Sequence, residues 1–212
     1  MAKKKQKRIY PPDPRTITTM NYFGRTLYHA YNVLSEEDVK GLIEEINDEL
    51  TINPDNKDGY IEATNGLAKR KIKNKQCWYN FFKMVKSHLN NYAEITNNPS
   101  IKTLKVASYW AKRMYKDVTD DQYEEQMYIN YGNLHAHTNL DLGIIYYLQN
   151  PSRIYGTLIE DKGREFIVPG DENSMIIHHS DMNHAAVLPP PVITKDSPRV
   201  TIIVDFKYAH KF

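Results

Sequence analysis

Two histidine-bearing stretches of this 212-residue chain have residue types and spacing that could do chemistry. HAHTNLD, residues 135 to 141, sets His135 and His137 two apart and Asp141 four further on, just before the apolar run LGIIYYL. HHSDMNH, residues 178 to 184, follows SMII in the same manner. Five of the eight histidines, His135, His137, His178, His179 and His184, fall within 50 residues, where even scatter would put roughly two. Side chains alternate along a strand, so a strand over 135–141 would turn His135, His137, Asn139 and Asp141 to one face. Polar groups on a buried face need partners, and one divalent cation satisfies two imidazoles at once. Imidazoles with open positions suit Fe(II), and also Zn, Ni or Cu. The plainer alternative is that HAHTNLD leaves the sheet for solvent and the strand begins at Leu142.

A third stretch, PRVTIIVDF (198 to 206), puts Arg199 and Thr201 two apart and therefore on one face of a strand. The guanidinium fork matches a carboxylate bidentately and a neighbouring hydroxyl adds a hydrogen bond, so an organic acid is the natural ligand. Pairing with a protein carboxylate, or exposure at the start of the strand, is the alternative.

Elements able to position these groups are legible around them. SEED (35 to 38) reads as a capping box opening a helix, with Val39, Leu42, Ile43, Ile46 and Leu50 at helical spacing. A second helical stripe over about 75–93 carries Trp78, Phe81, Phe82, Val85, Leu89 and Tyr92, a pattern that belongs to a core. From residue 101 the texture changes to short β-branched and aromatic segments: IKTLKVASYW, EEQMYINYG, LGIIYYL, YGTLIE, REFIVPG, SMIIHH and VTIIVDFKY. With no helical pattern between them, they predict an antiparallel sandwich or barrel preceded by two supporting helices.

Composition narrows the setting. The length suits one domain with a real core: a basic tail over 1–14, a helical layer over about 35–98 and a β core over about 101–208. MAKKKQKR holds five of the positive charges and no acid, so with a formal net charge of +2 the rest of the chain carries −3. The body is therefore no basic groove, and an anionic macromolecule would have to be met by the tail. A single cysteine, Cys77, excludes an internal disulfide framework. No run is apolar enough for a signal peptide or a membrane span, so a cytoplasmic setting is expected.

Taken together, HxH before LGIIYYL, SMIIHHSDMNHAAVLP, and RVT before IIVDF resemble the Fe(II)- and 2-oxoglutarate-dependent oxygenases, particularly short prolyl-hydroxylase-like members from bacteria and phages. The resemblance covers about residues 126 to 208. It implies an α+β architecture in which a double-stranded β-helix, a jelly-roll or cupin-like sandwich, rests on N-terminal helices. It further implies Fe(II) bound by His135, His137 and His184, and 2-oxoglutarate held by Arg199 and Thr201, with Tyr147 joining the cosubstrate pocket. The implied reaction couples decarboxylation of 2-oxoglutarate to succinate and carbon dioxide with oxidation of a substrate: a protein side chain, a nucleobase or a small metabolite. One departure stands out, because His137 occupies the position where the family pattern has an acid. A shifted register with His137 first and Asn139 or Asp141 near the place of that acid is the alternative.

Two rival readings remain. HxHxxxD with a distal histidine also resembles the first motif of cupin metalloenzymes, although the cupin glycines are nearly absent around 132–145. A non-catalytic binding module on the same sandwich is the other, made credible by the missing acid. Serine-nucleophile and P-loop readings have no support, since neither GxSxG nor GxxxxGK[ST] occurs.

Overall fold

The structure, a computed structural model, describes residues 16–22, 24–52, 56–58, 61–64, 67, 73–115, 134–154, 156–161, 163–187 and 194–208. The basic start of the chain, the EEQMYINYG segment and the proline run at 189–191 lie outside the described residues.

Both predicted helices form. Helix α1 (Glu36–Ile52) opens with Ser35 Oγ accepting a hydrogen bond from Asp38 N at 3.2 Å, and Glu36, Glu37 and Asp38 put negative charge at its amino end. Its Val39, Leu42, Ile46 and Leu50 are buried along one stripe. Helix α2 (Lys75–Ile95) is capped by the Asn74 side chain, which accepts from Cys77 N, and buries Trp78, Phe81, Val85, Leu89 and Tyr92.

Among the described residues eight strands make the larger sheet: β1 (Ile17–Tyr22), β2 (Arg25–Tyr31), β3 (Asn56–Asp58), β4 (Ile61–Ala63), β5 (Leu104–Met114), β6 (Leu142–Gln149), β9 (Ser174–His179) and β11 (Arg199–Tyr208). Their order is β1-β2-β9-β6-β11-β5-β4-β3. The smaller sheet is β10 (Asn183–Ala186), β7 (Thr157–Asp161) and β8 (Arg164–Val168), in the order β10-β7-β8. Every pairing is antiparallel, as the sequence predicts.

Three details differ from the sequence expectation. A hairpin, β1 and β2, precedes α1 and extends the sheet beside β9; its turn uses Gly24 at φ +80°, a conformation open to glycine. Two short strands, β3 and β4, stand between the helices and lengthen the other edge. IKTLKVASYW begins in a 3-10 helix over Pro99–Thr103, opened by the Asn98 side chain accepting from Ser100 N, and becomes strand at Leu104.

The two faces of the larger sheet do different work. Even-numbered β11 residues Val200, Ile202, Val204 and Phe206 join Ile144, Tyr146 and Leu148 of β6 in the core beneath the helices. There Phe81 packs on Tyr146 at 5.4 Å between ring centroids and Trp78 on Tyr109 at 5.5 Å. The odd-numbered face meets the smaller sheet through Ile145, Tyr147, Ile176, Ile159, Val168 and Met182. Strand β6 is thus covered on both faces, which explains why LGIIYYL is a continuous apolar run.

Candidate metal and anion site

The histidines come together by a route other than the one the sequence suggests. Residues 134–141 are not a continuous strand. His135 and His184 form an isolated antiparallel bridge, His135 N donating to His184 O at 3.2 Å and His184 N to His135 O at 2.9 Å. His137 N then donates to Ser180 O at 2.7 Å, and the chain turns at 138–139. The expected single face of His135, His137, Asn139 and Asp141 is therefore corrected: Asn139 is exposed. The Asp141 carboxylate accepts from Tyr208 N at 2.7 Å, well suited to tying this segment to the end of β11. Backbone pairing with the smaller sheet competes successfully with strand alternation here.

Within this frame His135, His137 and His184 each offer a ring nitrogen, and these atoms lie within 4.8 Å of one another. Ring centroids are separated by 5.2 Å (135 to 137), 4.6 Å (135 to 184) and 5.1 Å (137 to 184). His184 Nδ1 donates to Met182 O at 3.1 Å and His137 Nδ1 donates to Asp205 Oδ1 at 3.1 Å. Each bond fixes a tautomer and leaves Nε2 as the electron-pair donor, the arrangement seen around metal-binding imidazoles. Burial, and after it the neighbouring His178, push His184 down to about 2, so its imidazole is neutral and able to ligate at any ordinary pH.

His178 backs the cluster, its ring 4.7 Å from that of His184 and its Nδ1 donating to His179 O at 2.9 Å. Burial, its largest cause, pushes it down to about 4. Gly143 makes room for it: a Cβ there would lie 2.7 Å from His178 Nε2.

An anion site adjoins the histidines. One cavity of about 60 Å³ is lined by His135, His137 and His184 and also by Arg199, Thr201, Lys112, Tyr147 and Thr157. That is several times the roughly 10–15 Å³ one water requires. No acidic side chain among the described residues lines it. Strand register explains the grouping, because Thr201 of β11 lies opposite Tyr147 of β6 and Lys112 of β5. Arg199 is buried; Nη1 donates to Gly156 O at 3.3 Å and Nη2 contacts Met114 Sδ at 2.9 Å, which leaves the guanidinium edge fixed against the cavity wall. Tyr147 Oη and Thr157 Oγ1 are 2.6 Å apart, and burial raises the phenol to about 12, keeping it a neutral hydrogen-bonding group. Burial first, then the Arg199 charge, lower the Lys112 ammonium below its usual range. Among the described residues Lys112 has no hydrogen-bond or ion-pair partner, and it shares the cavity with Arg199.

Sequence reading did not single out Lys112 or Asp205. Asp205 was open to the same alternation argument as Arg199 and Thr201, lying on the same face of β11. Lys112 was not, since only the pairing of β5 with β11 brings it to Thr201.

No family model matches the sequence, and no curated protein is similar to it. Solved structures are similar in fold. The epimerase SnoN, in complex with Fe3+, alpha ketoglutarate and nogalamycin RO, matches with a TM-score of 0.59 and 11% identity over 89% of this chain and 81% of its own. A 2OG-Fe(II) oxygenase family oxidoreductase from Burkholderia pseudomallei gives 0.53 and 8% over 85% and 84%. The viral collagen prolyl hydroxylase of Paramecium Bursaria Chlorella virus-1, in its 2OG complex, gives 0.52 and 11% over 87% and 96%. The fold is the double-stranded β-helix with supporting helices that the sequence predicts.

Proposed function

We propose that this chain is a non-haem Fe(II)- and 2-oxoglutarate-dependent oxygenase of hydroxylase type. The observation that carries the reading is the sharing of one cavity by a three-imidazole cluster and two side-chain cations, Arg199 and Lys112. The donor set fits Fe(II): three imidazole nitrogens, two with the tautomer set by a hydrogen bond, beside one cavity. The lining fits a dicarboxylate: Arg199 and Lys112 attract the far carboxylate, and Thr201 and Tyr147 offer hydroxyl hydrogen bonds.

When bound, Fe(II) supplies the oxygen activation that drives oxidative decarboxylation of 2-oxoglutarate. The remaining work is done by the chain. His135, His137 and His184 would hold the ion beside the cavity that they line. Arg199, Lys112 and Thr201 orient the acid, and Ile145, Ile203, Trp110 and Ala186 exclude water from it. The substrate is a protein side chain, a nucleobase or a small metabolite in this proposal, and the single cysteine suits a cytoplasmic setting.

A cupin-type site would enlist Asp141, whose carboxylate is instead bonded to Tyr208 N and is absent from the histidine group. The test is succinate formation from 2-oxoglutarate with Fe(II) and no added substrate. The wild type should release succinate slowly, with His184→Ala and Arg199→Ala at background. Equal rates in all three proteins would overturn the proposal.

A further inference from the structure

The cluster poses a charge problem. Three imidazoles bring no negative charge to a divalent ion, and among the described residues no acidic side chain lines the cavity that they share with Arg199 and Lys112. A divalent ion is held more firmly where a carboxylate stands close by. The chain offers one within hydrogen-bonding distance of the cluster: Asp205, 3% exposed, with Oδ1 3.1 Å from His137 Nδ1.

We propose that Asp205 supplies, through His137, the negative charge that the three imidazoles do not bring, so that the carboxylate acts from one bond further out. The inference rests on the metal reading given above and makes Asp205 a positioning residue. Three independent observations support it. First, β11 delivers Asp205 to the site face along with Arg199 and Thr201, opposite Gly143 of β6 and Ser108 of β5. Second, the register of β11 against β5 shifts between Asp205 and Phe206; bulges of this kind re-aim side chains beside functional sites. Third, among the described residues the polar side-chain partners of Asp205 are His137 and, at 3.2 Å, the Ser108 hydroxyl, with no lysine or arginine. A buried carboxylate without a permanently charged partner is costly. Polarisation of the His137 ring by a bound cation strengthens the Nδ1–H···Oδ1 bond, so ion and carboxylate favour each other.

This arrangement accounts for the histidine at 137 without loss of the site. A carboxylate ligand there would face Asp205, two like charges competing for one cation. Position 137 and position 205 are therefore coupled: one carboxylate between them, in either place.

The experiment is Co(II) titration of the metal-free protein followed by visible absorption, with thermal melting of each metal-free variant as the folding control. Asp205→Asn should weaken Co(II) binding by about 10- to 100-fold, the usual effect of removing a carboxylate behind a ligating histidine. His137→Asp in the Asp205→Asn background should recover most of that affinity and change the absorption band. His137→Asp alone should bind more weakly than the double variant. A purely packing role for Asp205 predicts no such rescue. Wild-type affinity in Asp205→Asn, or a double variant weaker than both single variants, would overturn the inference while leaving the metal site standing. No binding by the wild type, or equal binding by His184→Ala, would overturn the metal reading itself. Should Asp205→Asn fail to fold, Ser108→Ala, which frees the Asp205 carboxylate of its other side-chain partner, carries the test: Co(II) affinity should stay within about 3-fold of the wild type, and a loss of about 10-fold would overturn the inference.

Discussion

The two faces of strand β11 differ by residue parity alone, and the contrast separates what holds the protein together from what it does. Toward the helices the strand presents Val200, Ile202, Val204 and Phe206, all buried among aliphatic and aromatic side chains of β6, β5 and α2. Toward the smaller sheet it presents Arg199, Thr201, Ile203 and Asp205. The first face gains from burial, on the order of 1.5–3 kcal/mol for each large apolar side chain. The second buries a guanidinium and a carboxylate, groups rarely found inside a protein without partners. A single backbone therefore carries an apolar, stabilising surface and a polar, cavity-lining one, and substitutions on the two should have separable effects.

The largest effect on stability belongs to the helix side. Phe81→Ala removes a fully buried ring from contact with Tyr146 and should cost about 3–5 kcal/mol in denaturant unfolding. Metal affinity per folded molecule should stay at the wild-type value. A matching loss of metal affinity would erase the distinction between the faces.

A smaller effect, also on the helix side, is expected from pH. His88 lies on α2, buried, with Nδ1 2.7 Å from Tyr28 Oη, and burial pushes it down to about 4. Because its folded pKa is below the unfolded value of 6.5, the unfolded chain takes up the proton first as pH falls. Stability is thus full above about pH 7 and declines toward pH 4, by about 2 kcal/mol between pH 7 and 5 from this residue. His29, pushed down to about 4 chiefly by burial, adds in the same direction. His88→Gln should flatten the pH dependence of the melting temperature; an unchanged slope would count against His88 as a cause.

On the site face, Lys112→Met should weaken 2-oxoglutarate binding by roughly 3- to 10-fold, as judged by the rise in melting temperature that the acid produces with Mn(II) present. Arg199→Ala should weaken it more. If Lys112→Met left that rise unchanged, the cavity would have one working cation instead of two.

These contrasts also explain how much could be read from sequence. Both helices were legible because Ser35 and Asn74 open stripes of helical period, and β6, β9 and β11 because their apolar or alternating runs are long. The β1–β2 hairpin was not singled out, although TTMNYFGRTL carries threonines and aromatics that favour strand; β2 pairs with β9 and β1 with β2. His135, His137 and His184 were named from type and spacing, although the geometry imagined for 135–141 was wrong. What gathers the first two is a bridge to His184 and a bond to Ser180, contacts between segments some 40 to 50 residues apart. Lys112 and Asp205 stayed hidden for related reasons. A lysine in a strand is usually a solvated surface group, and only register turns this one toward Thr201. Asp205 was within reach of parity, but its partner depends on where the turn at 138–139 leaves His137.

The central claim is that three imidazoles from two distant segments hold one cation. Its most direct test is titration of the metal-free protein with Mn(II), following the electron paramagnetic resonance signal of the free ion. The account predicts one ion bound per chain in the wild type and loss of that binding in His135→Ala, His137→Ala and His184→Ala. Binding of equal strength and stoichiometry in the wild type and all three variants would contradict it.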